Sequence, residues 1–254
     1  MKVEILIITY AQDIPYLELN LQSIERFAHG FSGVTVVAPS TELRQFNRLK
    51  GCKLSFYNRN PKSELWHLAA QAQKCLADEY CPEADFVLHT DSDCMFTEPV
   101  SPDDYFVAGK PVMLYDTYDN LPRDIPWKAV VESVLQRPVN YEFMRRHPQV
   151  NPIGLYSEFR DCIERLHQMP FQAYVESRKP DFPWGFTEHN IIGAFAYYDP
   201  KWHEQYHWHN VATDGFPKEK LIQFWSHSGI DVPQDISHGG RYTPRHYAQR
   251  LFKT

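Results

Sequence analysis

A chain of 254 residues has room for one large domain or two small ones, and 43% hydrophobic with 23% charged content describes a globular interior rather than a disordered or membrane-embedded chain. The net charge of −6 removes the broad basic field on which non-specific nucleic-acid binding draws. The five cysteines are odd in number and include no Cys-x-x-Cys pair, and the first apolar run is too short for a signal h-region or a membrane span, so reduced thiols and a cytoplasmic setting are expected.

Val3 to Thr9 is a continuous apolar run followed by polar residues, the pattern of a strand covered on both faces in a parallel sheet. Asp13 opens a helix with Pro15 in its first turn, and Leu17, Leu21, Ile24 and Phe27 recur at helical spacing until Gly30 and Gly33 end it. Val34 to Ala38 reads as a second strand, Ser40 as the cap of a short helix from Thr41, and Leu54 to Tyr57 as a third strand. A longer helix from Ser63 turns Leu65, Leu68, Ala69, Ala72, Cys75 and Leu76 inward. The next strand, Ala84 to Thr90, delivers Asp91 and Asp93 at its end, and Pro111 to Tyr115 resumes the sheet. This β-α-β alternation predicts an α/β fold with a mostly parallel central sheet flanked by helices.

Beyond about residue 120, prolines from Pro122 to Pro183 break the chain into short helices and loops, which read as a lid or acceptor region. From Ile236 onward Arg241, Arg245, Arg250 and Lys253 stand without an acid among them. One domain is expected, with a nucleotide-sugar-binding half (1–115), an acceptor and catalytic half (116–235) and a basic tail (236–254).

Alternate residues of a strand share a face, so Asp91 and Asp93 can reach one hard cation together. A bare Asp-x-Asp arises about once by chance in a chain this acidic, and its context decides its meaning. Here the context is the carboxyl edge of an α/β sheet, where such folds bind nucleotides. Two further segments matter, Trp184-Gly185-Phe186-Thr187-Glu188-His189-Asn190 and Trp225-Ser226-His227-Ser228-Gly229. Together with the Thr9-Tyr10 strand end, the Asp-x-Asp strand end and an acidic helix start before a late histidine, the chain resembles a nucleotide-sugar glycosyltransferase of the GT-A (Rossmann-like) fold, similar to bacterial and phage-associated members. The resemblance covers roughly residues 1–115 and 182–229.

The resemblance implies that Asp93 coordinates Mn²⁺ or Mg²⁺ bound to the donor diphosphate, that Asp91 contacts the ribose or the metal, and that His227 is a late metal ligand. Thr9, Tyr10 and Ala11 would lie under the base and ribose of a nucleotide sugar, a UDP-sugar by preference, and Lys74 would approach its phosphates. A departing nucleoside diphosphate accumulates negative charge, which a divalent cation neutralises as a Lewis acid. Glu188 is the expected general base toward a hydroxyl acceptor, with Trp184, Gly185 and His189 beside it.

Three other readings compete. His203-Glu204-Gln205-Tyr206-His207 matches the H-E-x-x-H zinc-hydrolase spacing, but Asp199-Pro200 reads as a helix start, which puts His203 in the first turn rather than mid-helix. In a second reading the acceptor is a hydroxylated DNA base, with Arg145-Arg146-His147 and the basic tail as phosphate contacts, and the acidic net charge counts against it. A non-catalytic sugar- or nucleotide-binding protein would use the same edge, with Glu188 reduced to a helix cap.

Overall fold

A computed structural model of the chain describes residues 1–58, 66–121, 127–144, 148–181 and 185–224. The first half alternates as its sequence predicts: β1 (Val3–Ile8), α1 (Ile14–Phe27), β2 (Gly33–Pro39), α2 (Leu43–Phe46), β3 (Lys53–Tyr57), α3 (Trp66–Lys74), α4 (Ala77–Tyr80) and β4 (Phe86–His89). Then come β5 (Cys94–Phe96), β6 (Phe106–Val107), β7 (Lys110–Thr117), α5 (Trp127–Leu135), β8 (Tyr141–Glu142) and β9 (Gln149–Pro152). The remaining elements are α6 (Gly154–His167), α7 (Phe171–Ser177), α8 (Glu188–Tyr198), α9 (Pro200–His203), β10 (His207–Asn210), α10 (Val211–Asp214) and β11 (Leu221–Gln223).

The central sheet runs β3-β2-β1-β4-β9, with the first four strands parallel and β9 antiparallel to β4. Apart from the half-buried Glu4, β1 is apolar, which explains why both faces are covered. Ile5 and Ile7 pack with Leu17 and Ile24 of α1, whereas Leu6 and Ile8 turn to the opposite layer with Leu68 and Ala72 of α3 and Ile191 and Ile192 of α8. The architecture is α/β with a mixed, mostly parallel sheet flanked by helices. Among the described residues no helix is long and apolar enough to cross a membrane.

Several local expectations are corrected. Residues 110–117 do not resume the central sheet: β7 pairs with β10, β6 and β8 in a second sheet. The free edge of β4 is taken instead by β9, from inside the expected lid region. Fully buried Tyr156, Phe159 and Ile163 of the 14-residue α6 also tie that region into the main core. Ser40 does not cap a helix; its hydroxyl bonds Asn58 Oδ1 at 3.1 Å. The long helix expected from Ser63 stops at Lys74 and restarts at Ala77.

Candidate functional site at the carboxyl edge of the sheet

β4 ends at His89, so Asp91 and Asp93 sit in the turn that follows rather than on a strand face. They converge nonetheless, because the turn is pinned from several sides. Asn20 Nδ2, from the buried side of α1, donates to the Asp91 carbonyl at 2.8 Å, and the Ser92 hydroxyl donates to Asp13 Oδ2 at 2.8 Å. β11 pairs with β5 so that Gln223 lies opposite Cys94, and the Phe224 N–H donates to the Asp93 carbonyl at 2.9 Å. That pairing carries the Gln223 side chain over the turn, where its Nε2 donates to both Asp91 Oδ2 and Asp93 Oδ1 at 3.3 Å. Asp93 is 3% exposed, while the Asp91 carboxylate is 38% exposed.

Lys74 connects this turn to Glu188. It is the last residue of α3 and Glu188 is the first of α8, so each charge sits at the helix end whose dipole favours it. The ammonium lies 2.7 Å from Asp91 Oδ1, 2.7 Å from Glu188 Oε1 and 3.4 Å from His189 Nε2, which accounts for its three protons. His189 accepts from Lys74 only if its proton is on Nδ1, and Nδ1 faces Gln149 Oε1 at 3.3 Å. Burial and the neighbouring ammonium lower the His189 pKa, in keeping with a neutral ring. Burial opposes ionisation of Asp91 and Glu188, but Lys74 outweighs it, bringing Asp91 down to about 2 and Glu188 below the usual carboxylate range. Both are therefore anions at neutral pH.

Behind His189 a buried polar chain runs into the sheet. Gln149 Nε2 donates to the His189 carbonyl at 3.0 Å, and Asn151 Nδ2 donates to Gln149 Oε1 and to the Tyr156 hydroxyl, each at 3.1 Å. The Tyr156 hydroxyl in turn meets His89 Nε2 at 2.5 Å, and the Tyr206 hydroxyl donates to Asn151 Oδ1 at 2.8 Å. Sequence reading missed Gln149, Asn151, His89 and Gln223. The one signal for the first two was the polar-apolar-polar alternation of Gln149-Val150-Asn151 between two prolines, Pro148 and Pro152.

Thr9, Tyr10 and Ala11 do lie at the end of β1 beside the turn. Thr9 is buried with its N–H on the Val37 carbonyl at 2.9 Å, and the Ala11 N–H is taken by Glu42 Oε2 at 2.7 Å. The Tyr10 hydroxyl is pushed up to about 12, by burial first and then by Asp13, Glu42 and Asp93. Five carboxylates (Asp13, Glu42, Asp91, Asp93 and Glu188) thus gather around this edge, with Lys74 the cation that two of them share. From the described residues, an anionic ligand meets repulsion there unless a cation enters with it.

The donor set suits a hard divalent ion. Asp91 and Asp93 offer oxygen, and the point they both face is held by the partial positive charge of an amide N–H. Among the described residues no group of three or more His, Cys, Asp or Glu side chains is arranged to hold a metal, so other oxygens would have to complete the coordination. The expected ligand His227 lies outside the described residues, as do Trp184, Trp225, Arg145-Arg146-His147 and the basic tail.

Gly185 is described, and its close approach is internal to the protein. A Cβ there would stand 2.4 Å from the Arg178 carbonyl oxygen, and Arg178 Nε donates to the Gly185 carbonyl at 3.2 Å. Phe186 is fully buried against Phe171. Glu188 does not act as a plain cap, since its carboxylate engages Lys74. The H-E-x-x-H spacing fails its structural requirement: α9 ends at His203 and His207 stands on β10. His203 Nδ1 lies 2.7 Å from the Tyr197 carbonyl with the ring stacked on Trp208, which fixes it as an aromatic packing residue. As expected, Asp199 caps that helix, accepting from Lys201 N at 2.9 Å and Trp202 N at 3.2 Å.

No protein-family model matches the chain, and no curated protein matches it in sequence.

Proposed function

We propose that this protein is a metal-dependent glycosyltransferase of GT-A type that moves a hexose from a nucleotide sugar, by preference a UDP-sugar, to a hydroxyl acceptor. The observation that carries this reading is the convergence of Asp91 and Asp93 on one point beside the β1 end, within an edge too acidic to receive a diphosphate unaided. Asp91 and Asp93 would hold Mn²⁺ or Mg²⁺, which supplies Lewis-acid stabilisation of the departing diphosphate when bound. The end of β1, at Thr9, Tyr10 and Ala11, supports the nucleoside. Thr9 and the Ala11 amide are committed to the fold, and contact with base or ribose is assigned here to the Tyr10 ring.

In the transfer, the acceptor oxygen bonds to the anomeric carbon as the bond from that carbon to the diphosphate oxygen breaks, and the acceptor proton passes to Glu188. Lys74 keeps Glu188 ionised at neutral pH and lowers its basicity at the same time. General-base catalysis is worth about 10²–10⁴ in rate, and a carboxylate this depressed belongs at the lower end. His189, neutral and fixed by Gln149, lies beside it as a further acceptor-facing group.

The test is a panel of nucleotide sugars scored for release of nucleoside diphosphate with and without Mn²⁺. The proposal expects release from one donor class, dependent on the metal and abolished by Asp93→Asn. Equal UDP affinity by calorimetry with and without Mn²⁺ and Mg²⁺, together with no release from any donor, overturns it.

A further inference from the structure

We infer that Gln223 is a third oxygen ligand of the cation held by Asp91 and Asp93, at the point where its amide meets both carboxylates. The inference rests on the metal-dependent reading above and adds a ligand from β11, far from the Asp-x-Asp turn in sequence.

The argument begins with the backbone. Leu221–Gln223 pairs antiparallel with Cys94–Phe96, with Gln223 opposite Cys94, the residue that directly follows Asp93. The Phe224 N–H then locks onto the Asp93 carbonyl at 2.9 Å. The position of residue 223 over the turn is therefore fixed by strand pairing rather than by its side chain.

The side chain is then notable for what it touches. A single NH₂ group donates to Asp91 Oδ2 and Asp93 Oδ1 at equal distances of 3.3 Å, so it lies at the meeting point of two carboxylates. These contacts are long for charge-assisted hydrogen bonds, which run at about 2.7–2.9 Å. An amide nitrogen bridging two anions loosely does what a cation between them would do better.

Glutamine is suited to both states because its amide has two ends. Two carboxylates without a metal need a donor, and Nε2 supplies it. With a divalent cation between them, the same carboxylates are satisfied by the ion, and a half-turn of the amide brings Oε1 toward that point. Mn²⁺ and Mg²⁺ take carboxylate, carbonyl and water oxygens, so this adds a ligand of the right kind without adding charge. Neither Asn nor Leu does both: Asn is one methylene short, and Leu offers neither donor nor acceptor.

The test uses the 254-residue chain and reads Mn²⁺ binding, with and without UDP, by titration calorimetry and Mn²⁺ electron paramagnetic resonance, alongside thermal melting without metal. Gln223→Leu should weaken Mn²⁺ by ~10-fold or more, the scale seen when a ligand-shell residue is lost. Gln223→Glu separates a ligand from a structural brace, because the two roles move its readouts in opposite directions. A third carboxylate should tighten Mn²⁺ by a similar ~10-fold factor while lowering the melting temperature of the metal-free protein, where the NH₂ donor has been replaced by a third anion. A brace with no role toward metal would lose on both counts. Wild type that binds Mn²⁺ while Gln223→Leu binds it equally well, or Gln223→Glu binds it more weakly, overturns this inference and leaves the metal-dependent reading standing. Wild type that binds neither Mn²⁺ nor Mg²⁺, with UDP present or absent, overturns both.

Discussion

Replacing Lys74 by Met would leave Glu188 as a buried carboxylate without its counter-ion. The two side chains are 12% and 5% exposed, and the 2.7 Å contact between them is one of three that the ammonium makes. Removing one partner of a buried pair costs about 3–5 kcal/mol, because the remaining charge keeps its desolvation penalty and loses its compensation. Asp91 adds little, since its 38% exposed carboxylate can be reached by water. For a chain of this size that loss corresponds to a fall in melting temperature of roughly 6–20 °C.

The pH dependence gives the sharper signature. In wild type the Glu188 pKa lies below its ordinary 4.5, so its stabilisation is present above pH 4.5 and fades as pH falls through the lower folded value. In Lys74→Met, burial acts unopposed and raises that pKa above 4.5. The protonated form is then favoured, and the variant gains stability relative to wild type as pH falls from 7 toward 5. Urea denaturation followed by circular dichroism at pH 7 and pH 5 measures both effects, and Lys74→Met/Glu188→Gln should recover most of the loss by removing the orphaned charge. A Lys74→Met protein within about 1 kcal/mol of wild type at pH 7, with no gain toward pH 5, would refute the buried Lys74–Glu188 pair.

Glu188→Gln should lower transfer by roughly 10²-fold while UDP and Mn²⁺ affinities stay within a factor of a few, and wild-type turnover would remove Glu188 from the chemistry. His203→Ala and Glu204→Gln should leave metal content and transfer unchanged, and stoichiometric zinc lost on His207→Ala in protein purified without added metal would reverse that conclusion. Gly193→Ala should destabilise although alanine favours helices by about 1 kcal/mol, because its Cβ would meet Phe143 Cβ at 2.4 Å; Gly33→Ala, with its nearest neighbour at 3.8 Å, is the mild control in the same denaturation assay. In native protein a thiol reagent should modify Cys52 and Cys162 before the buried Cys75, Cys81 and Cys94, and rapid reaction of all five would contradict the packing.

What the sequence made legible follows the reach of its signals. A run such as Val3–Ile8 declares a buried parallel strand because every position but Glu4 is apolar, and α1 declares itself by a stripe that recurs within its own length. β9 carries only a three-residue alternation by the same measure. Gln149 and Asn151 are buried polar residues that bond each other and otherwise find their partners on β7, α8, α6 and the segment before β10, so their neighbours in sequence do not mark them as core. The Asp-x-Asp pair was legible as chemistry but not as geometry: strand alternation gave a reason for Asp91 and Asp93 to meet, whereas the protein makes them meet in a turn pinned by Asn20, Asp13 and β11. Lys74 shows the limit most clearly. The resemblance implies only that it approaches the donor phosphates, whereas its partner in the fold, Glu188, is 114 residues away on another helix. An ion pair of that kind leaves no local pattern, since its cost and its compensation sit in different segments and become visible only when the fold closes them onto one point. The residues that set the electrostatics of this edge are therefore those a linear reading is least equipped to find, and Lys74→Met probes that directly.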